Sequence, residues 1–429
     1  MVKQLNFSIL KHLVLTVIFV SGNLFPGHSD AQTVLKLNDC IQLAIQNSYQ
    51  LQADSLLSES LQMIVKQEHS AYNPQISGSA GISGLFLSPY TFGQHYLQAI
   101  ADWDLGRFWY KTADVQQKQT EQQEAITNQN RLEITGVITG LYLDVLQNQL
   151  EQQILKLKIE YLSKHIDILT ILWKAGTIEQ LDILQTQSSL NSVKEELMKK
   201  TLGAEQAKYA ISRLIGLDLQ EQFTVAPIST ELLSSLETER LPETWLENHP
   251  QTQVLMKEYE KELLMKKDVQ ASYLPHIQAF SGYTFDGDPT GDGNYVLLGL
   301  GATIPIYSWG NKDYKLREID FTAEAIQNQK KNAERNLTIR YGQLQQQIQK
   351  YKALIDFQQE KIATDREAAN VAEMNYQVGL ATNLDFLLAQ QKLLESELNI
   401  HALHNQYVKS VVALWLLTDQ TEKIKNIQQ

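Results

Sequence analysis

Tyr72-Asn73-Pro74-Gln75-Ile76 returns 201 positions later as Tyr273-Leu274-Pro275-His276-Ile277. Gly176 and Asp182 return as Gly379 and Asp385, each Asp inside a Leu-Asp-x-Leu segment, and Asp218 returns as Asp419. The 429-residue chain therefore carries two copies of one unit of about 200 residues. This is far longer than the 20–50-residue module of a solenoid array.

Proline placement divides each unit. No proline lies between Pro89 and Pro227, and none follows Pro305. A proline inside a helix costs roughly 3 kcal/mol, so these tracts can hold very long helices. Ile134, Ile138, Leu141 and Val145 step at helical spacing, as do Leu162, Ile166, Leu169 and Trp173, in surroundings rich in Gln, Glu and Lys. Narrow apolar stripes on polar helices point to coiled-coil-like packing. Helices filling the tracts Gly106 to Gly176 and Gly310 to Gly379 would be roughly 100 Å long. Each tract ends at a glycine turn, Ala175-Gly176-Thr177 or Val378-Gly379-Leu380, and a return helix follows at about 178–215 and 382–417. Long helical hairpins are predicted over 106–215 and 310–417.

Upstream of each hairpin the period changes from 3.6 to 2. Alternation predicts strands at about 75–86, 96–105, 276–286 and 295–306. Their length of about ten residues suits tilted membrane strands. Phe86, Tyr90, Phe92 and Tyr96 gather near one set of ends, and Trp103, Phe108, Trp109, Tyr307 and Trp309 near the other. Such aromatic girdles mark membrane interfaces. An open sheet cannot stand in lipid, and the smallest single-chain barrels have about eight strands. Four strands per chain thus require several chains to share one barrel. The fold class expected is mainly α with membrane β.

Lys3 and Lys11, the apolar run Leu13 to Val20, and Ser29-Asp30-Ala31 read as an export signal over residues 1–31 without a lipidation cysteine at the cut. Its removal takes away Lys3, Lys11 and Asp30 and changes the net charge from −12 to −13. An acidic chain argues against nucleic acid as a partner. The single cysteine, Cys40, excludes disulfide and cysteine-based zinc frameworks. The acidic run 286–294 lacks the closing Glu of a calcium loop and reads as a turn. His401 and His404 lack completing ligands, so neither metal nor cofactor is expected. No nucleophile elbow, phosphate loop or zinc-protease motif occurs, and no enzyme is expected.

Leu37-Asn38-Asp39-Cys40-Ile41 with Ala44, the two Tyr-x-Pro-x-Ile strand starts, and Ile304-Pro305-Ile306-Tyr307-Ser308-Trp309-Gly310 together resemble the TolC-type outer-membrane efflux protein family. The order and duplication of these segments carry the resemblance over about 33–420. It implies a homotrimer in outer-membrane lipid, with a twelve-stranded β-barrel continuous with an α-helical periplasmic tunnel. Such a channel is the passive exit duct of a tripartite efflux or type I secretion system. Its partners would be a periplasmic adaptor and an inner-membrane pump of RND or ABC type.

By the same resemblance, Ala175, Gly176, Thr177, Val378, Gly379 and Leu380 are the periplasmic tips that an adaptor contacts, and Asp182 and Asp385 are the aperture acids. The sequence departs from the family at three places. Ala381 stands where relatives carry a basic latch, Leu388 where a further acid is found, and Asp104-Leu105-Gly106 lacks the proline of the strand exit. The domain reading is 1–31 signal, 32–218 first repeat, 219–250 equatorial linker, 251–419 second repeat, and 420–429 a polar tail expected to fray. A periplasmic coiled-coil adaptor or scaffold is the alternative, which explains the hairpins but not the strands.

Overall fold

The computed structural model describes residues 33–87, 90–217, 223–228, 244–286, 294–425 and 427. The expected export signal, residues 287–293 of the acidic turn and much of the 219–250 linker lie outside the described residues.

The first half runs β1 (Thr33–Leu35), α1 (Leu37–Asn47), α2 (Tyr49–Ser70), β2 (Gln75–Leu87), β3 (Tyr90–Asp104), α3 (Thr112–Lys174) and α4 (Gln180–Ile215). A short β4 (Phe223–Val225) and α5 (Trp245–Asn248) follow. The second half runs α6 (Pro250–Ala271), β5 (His276–Asp286), β6 (Tyr295–Thr303), α7 (Asn311–Gln377) and α8 (Asn383–Leu417), then α9 (Thr421–Lys425). Among the described residues no helix is long and apolar enough to cross a membrane.

The long helices α3 and α7 have 63 and 67 residues, hence lengths of about 95 and 100 Å. Within its own repeat each is paired along its length by two shorter helices, α3 by α2 and α4, and α7 by α6 and α8. Near the sheet α3 lies against α2 and α6, and towards the turn against α4. The short partners α2 and α6 are the elements that the periodicity reading did not separate. Ser48 caps α2 through Leu51 N at 3.3 Å, and Pro250 occupies the first turn of α6, where a missing N–H costs nothing.

The four membrane-length strands form one antiparallel sheet in the order β2-β3-β5-β6. β3 begins at Tyr90, six residues before the expected start, because it pairs with β2 along that strand's whole length. β6 stops at Thr303 rather than 306: Pro305 has no N–H to give a ladder. The helix of the first hairpin likewise starts at Thr112 rather than 106. Leu105–Trp109 is a 3₁₀ turn in which Asp104 accepts from Gly106 N at 3.0 Å.

The pairings Ile76–Ala101, Leu97–Phe285, Tyr283–Val296 and Ala279–Leu300 place these residues on one face. Ile76, Ile82, Leu97, Val296, Leu298 and Leu300 are exposed there, Ile82 at 91%. The opposite face carries Gln75, Ser77, Ser79, Gln98, Asp102, Gln278 and Thr284. Below the sheet, Trp103 Nε1 donates to Tyr72 O at 2.9 Å, Phe108 stacks on Tyr72 at 5.5 Å, and Tyr307 meets Trp309 edge-on at 4.8 Å.

The main core lies where α1, α3, α4, α7 and α8 meet and includes Leu37, Cys40, Ile41, Ile138, Tyr142, Val145, Ile211, Val411 and Trp415. The parallel pair β1–β4 lies across it, and Tyr142 Oη sits 3.0 Å from Leu35 O and 2.7 Å from Ala226 O. A side chain at Gly136 would collide with Leu416 of α8, so this glycine permits close approach of α3 and α8. Residues 420–429 are not a free polar tail throughout. α9 turns back so that Ile424 and Ile427 are buried in this core. Their two apolar side chains, spaced three apart, outweigh the polar composition around them.

Candidate functional site

Both hairpins reverse by the same device. In the first, Gly176 has φ +76°, Gly176 N donates to Trp173 O at 2.9 Å and Thr177 N to Leu172 O at 3.0 Å. In the second, Gly379 has φ +79°, Gly379 N donates to Tyr376 O at 3.1 Å and Leu380 N to Asn375 O at 2.8 Å. These are paired Schellman closures, which need the left-handed residue that glycine supplies. Ala175, Gly176, Thr177, Val378, Gly379 and Leu380 are thus brought to hairpin ends, with Val378 and Leu380 exposed at 69% and 80%.

The two acids expected at the aperture, Asp182 and Asp385, differ despite their matching sequence positions. Asp385 closes a capping box: its carboxylate accepts from Thr382 N at 3.0 Å and Thr382 Oγ1 at 2.7 Å, while Asp385 N donates to Thr382 Oγ1 at 3.2 Å. The side-chain and backbone hydrogen bonds from Thr382 hold its carboxyl below the usual range. In the first hairpin Glu179 stands in place of Thr382, and α4 has no side-chain cap. Burial, followed by the neighbouring Glu179 charge, pushes Asp182 above the usual range.

Asp182 instead offers its backbone. Asn383, 1% exposed, donates through Nδ2 to Asp182 O at 3.0 Å and also lies 3.2 Å from Thr186 Oγ1. Its Oδ1 is 3.3 Å from His165 Nε2. One buried amide thereby ties the start of α8 to both helices of the first hairpin. Around it Phe386 packs on the His165 ring at 4.9 Å and stacks on Tyr376 at 5.8 Å. Burial pushes His165 below its ordinary value and Tyr376 above it.

Farther from the turns, Lys158 Nζ donates to Gln390 Oε1 at 2.5 Å and lies over the Tyr161 ring at 5.1 Å; burial pushes its pKa down to about 8. Sequence reasoning found the turns and the two acids and missed Asn383, His165, Tyr376, Phe386 and Lys158. A usable signal was present: Asn383 and Thr382 stand where the first copy has Gln180 and Glu179.

The sheet, the hairpins and their ends can be set against known proteins. Residues 40–217 and 241–419 match the family described as outer membrane efflux protein. No curated protein matches the sequence. Among solved structures, CusC, whose structures concern folding and transmembrane channel formation, superposes with TM-score 0.81 at 15% identity, covering 92% of this chain and 95% of its own. The outer membrane protein VceC from Vibrio cholerae gives 0.76 at 18% identity, covering 89% and 96%. The open state of the MtrE outer membrane channel from Neisseria gonorrhoeae gives 0.77 at 15% identity, covering 92% and 93%. Duplication, strand pairs and helical hairpins are therefore shared with channels of this fold, and the chain belongs to the outer membrane efflux protein family.

Proposed function

We propose that three copies of this chain form a passive duct through the outer membrane and periplasm. The observation that carries the reading is the sheet: four strands, with β2 and β6 outermost, apolar on one face and mainly polar on the other, where Ile100, Phe280 and Leu297 stand among Gln, Ser, Thr and Asp. Lipid accepts such a sheet only when its edges are closed. Three copies would place the Gln75, Ser77 and Ser79 face towards water and the Ile82, Leu298 and Leu300 face towards acyl chains. The helical hairpins would continue the wall into the periplasm.

In this reading the tips dock a periplasmic adaptor, which links the duct to an inner-membrane pump of RND or ABC type. The exposed Val378 and Leu380 offer apolar contact there. Asp385, held ionised by its cap and exposed, is the stronger candidate for an aperture charge. Asp182 is the weaker one, because it is partly desolvated. No basic residue at 381 bridges to the first hairpin, and Asn383 supplies the tie between hairpins instead.

The protein purified from outer membranes in detergent is expected to be trimeric and to conduct ions in a planar bilayer. A monomer soluble without detergent would overturn the reading.

A further inference from the structure

On the mainly polar face of the sheet, three large side chains stand directly opposite glycines. Tyr96 is paired with Gly81, Ile100 with Gly282 and Phe280 with Gly299. Each lies over its glycine. A Cβ at Gly81 would stand 2.7 Å from the Tyr96 ring, one at Gly282 would stand 3.3 Å from Ile100 Cγ1, and one at Gly299 would meet the Phe280 ring itself. With no side chain beneath them, the three recline along the wall instead of projecting from it. They spread apolar surface over a face otherwise made of Gln, Ser, Thr and Asp.

The register sets these residues in rows. Gln75, Asp102, Phe280 and Gly299 form one row across the four strands, and Ser77, Ile100, Gly282 and Leu297 form the next. Successive rows on one face are about 7 Å apart. Phe280 is thus the diagonal neighbour of both Ile100 and Leu297, and the three make one apolar patch. Asp102 stands at its edge, directly opposite Phe280. Asp102 is exposed and, among the described residues, has no ion pair. Asp104, two positions on, is different: it meets His276 at 3.4 Å and Arg107 at 3.7 Å. The strands carry Asp102, Asp104 and Asp286 and no lysine or arginine, so the charge of Asp102 is left unbalanced.

We infer that Asp102, Phe280, Ile100 and Leu297 form a binding site for an organic cation with an aromatic body, on the lumen wall of the duct proposed above. The carboxylate takes the positive charge, and the reclining Phe280 ring takes the body and adds a cation–π contact. A small hydrated cation would use the carboxylate alone. An aromatic anion would find the ring but be repelled by Asp102. Three copies would repeat the site at one level of the barrel. The site is open and shallow, as a conducting pathway requires: cargo must enter it and also leave.

Single-channel current of the full-length protein in a planar bilayer reads the site. Benzyltrimethylammonium is expected to block at lower concentration than tetramethylammonium, which lacks the ring. Benzenesulfonate, with the ring and the opposite charge, is expected not to block. Asp102→Asn and Phe280→Leu should each raise the blocking concentration of benzyltrimethylammonium about fivefold, whereas Phe280→Tyr should keep the block. The open-channel current of each variant shows in the same recording that it has assembled. Equal block by the two ammonium ions, or block unchanged in Asp102→Asn and Phe280→Leu, would overturn the site and leave the duct standing. Block lost in Asp385→Asn instead would move the cation to the tip and overturn the site likewise. A protein that conducts no ions would overturn the duct, and the site with it.

Discussion

Asn383 Nδ2 lies 3.0 Å from the carbonyl oxygen of Asp182, so a side chain of the second repeat is bonded to the backbone of the first at the site that the duplication makes equivalent. The two hairpins are held together there by an asparagine that only one copy possesses, Gln180 standing at its place in the other. Asn383→Ala removes the tie while Asp182 O keeps the Thr186 hydroxyl as a donor at 2.8 Å, so the cost is that of a lost hydrogen bond, about 0.5–1.5 kcal/mol. Faster proteolysis near Gly176 and Gly379 is expected, with thermal stability of the whole protein little changed. Equal cleavage rates in the variant and the parent would remove Asn383 from this role.

The capping asymmetry is open to repair. Glu179→Thr gives α4 the Thr-x-x-Asp arrangement that α8 already has, with Asp182 as the reciprocal partner. The first turn of α4 is expected to gain about 1 kcal/mol in hydrogen-exchange protection. The carboxyl of Asp182 should move down in a carbon-detected titration, towards the behaviour of Asp385. The converse variant Thr382→Ala is expected to lose a similar amount of protection at the start of α8.

Burial lowers His165 below its ordinary value of 6.5. A depressed histidine favours the folded tip when neutral. Its contribution is complete above 6.5 and is lost as pH falls from there towards the folded value. Exchange protection of the amides around Asn383 and Phe386 is therefore expected to decline on acidification below about 6.5. His165→Gln should flatten that dependence. Asp182 titrates in the lower carboxylate window and, being raised, acts with the opposite sign, so the two groups are separable by pH. Global unfolding is the wrong readout, since burial also lowers His249 and His401.

The two faces of the sheet should respond oppositely to charge. Leu298→Arg places a guanidinium among acyl chains at a cost of about 2–4 kcal/mol near the bilayer midplane, and loss of assembled trimer from the outer membrane is expected. Gln278→Arg, on the polar face, should assemble normally and shift the ion selectivity of the pore towards anions. Equal assembly of both variants would mean that the apolar face does not meet lipid.

Much of this architecture was legible because it rests on strong local signals. Absence of proline over 90–226 and after 305 permits the long helices, and period-two alternation gives the strands. Gly176 and Gly379 announce the reversals because their φ values suit few other residues. What escaped was tertiary. Helices α2 and α6 lie beside the long helices rather than over a thick core, and each buries only a few side chains, Asp54, Thr252 and Glu262 among them. β1 and β4 are three residues each and exist only through one another. Asn383 looks like an ordinary residue of a helix start until Asp182 is seen beside it. The shared position of Asp182 and Asp385 suggested one role, whereas the residues three positions before them, Glu179 and Thr382, give them different surroundings.

The β1–β4 pair and the returning α9 set the order in which the molecule can be completed. Thr33 to Leu35 have no strand to join until Phe223 to Val225 have been synthesised and delivered. The core beneath them still lacks Ile424 and Ile427 until almost the whole chain has arrived. A chain emerging from the amino end therefore holds its first segment in waiting for most of its passage. The core around this strand pair closes last, when both repeats are present together. Such a schedule suits a protein whose open strand edges must not pair prematurely, and it predicts that chains cut short of Ile424 stay unassembled although all four strands and both hairpins are complete.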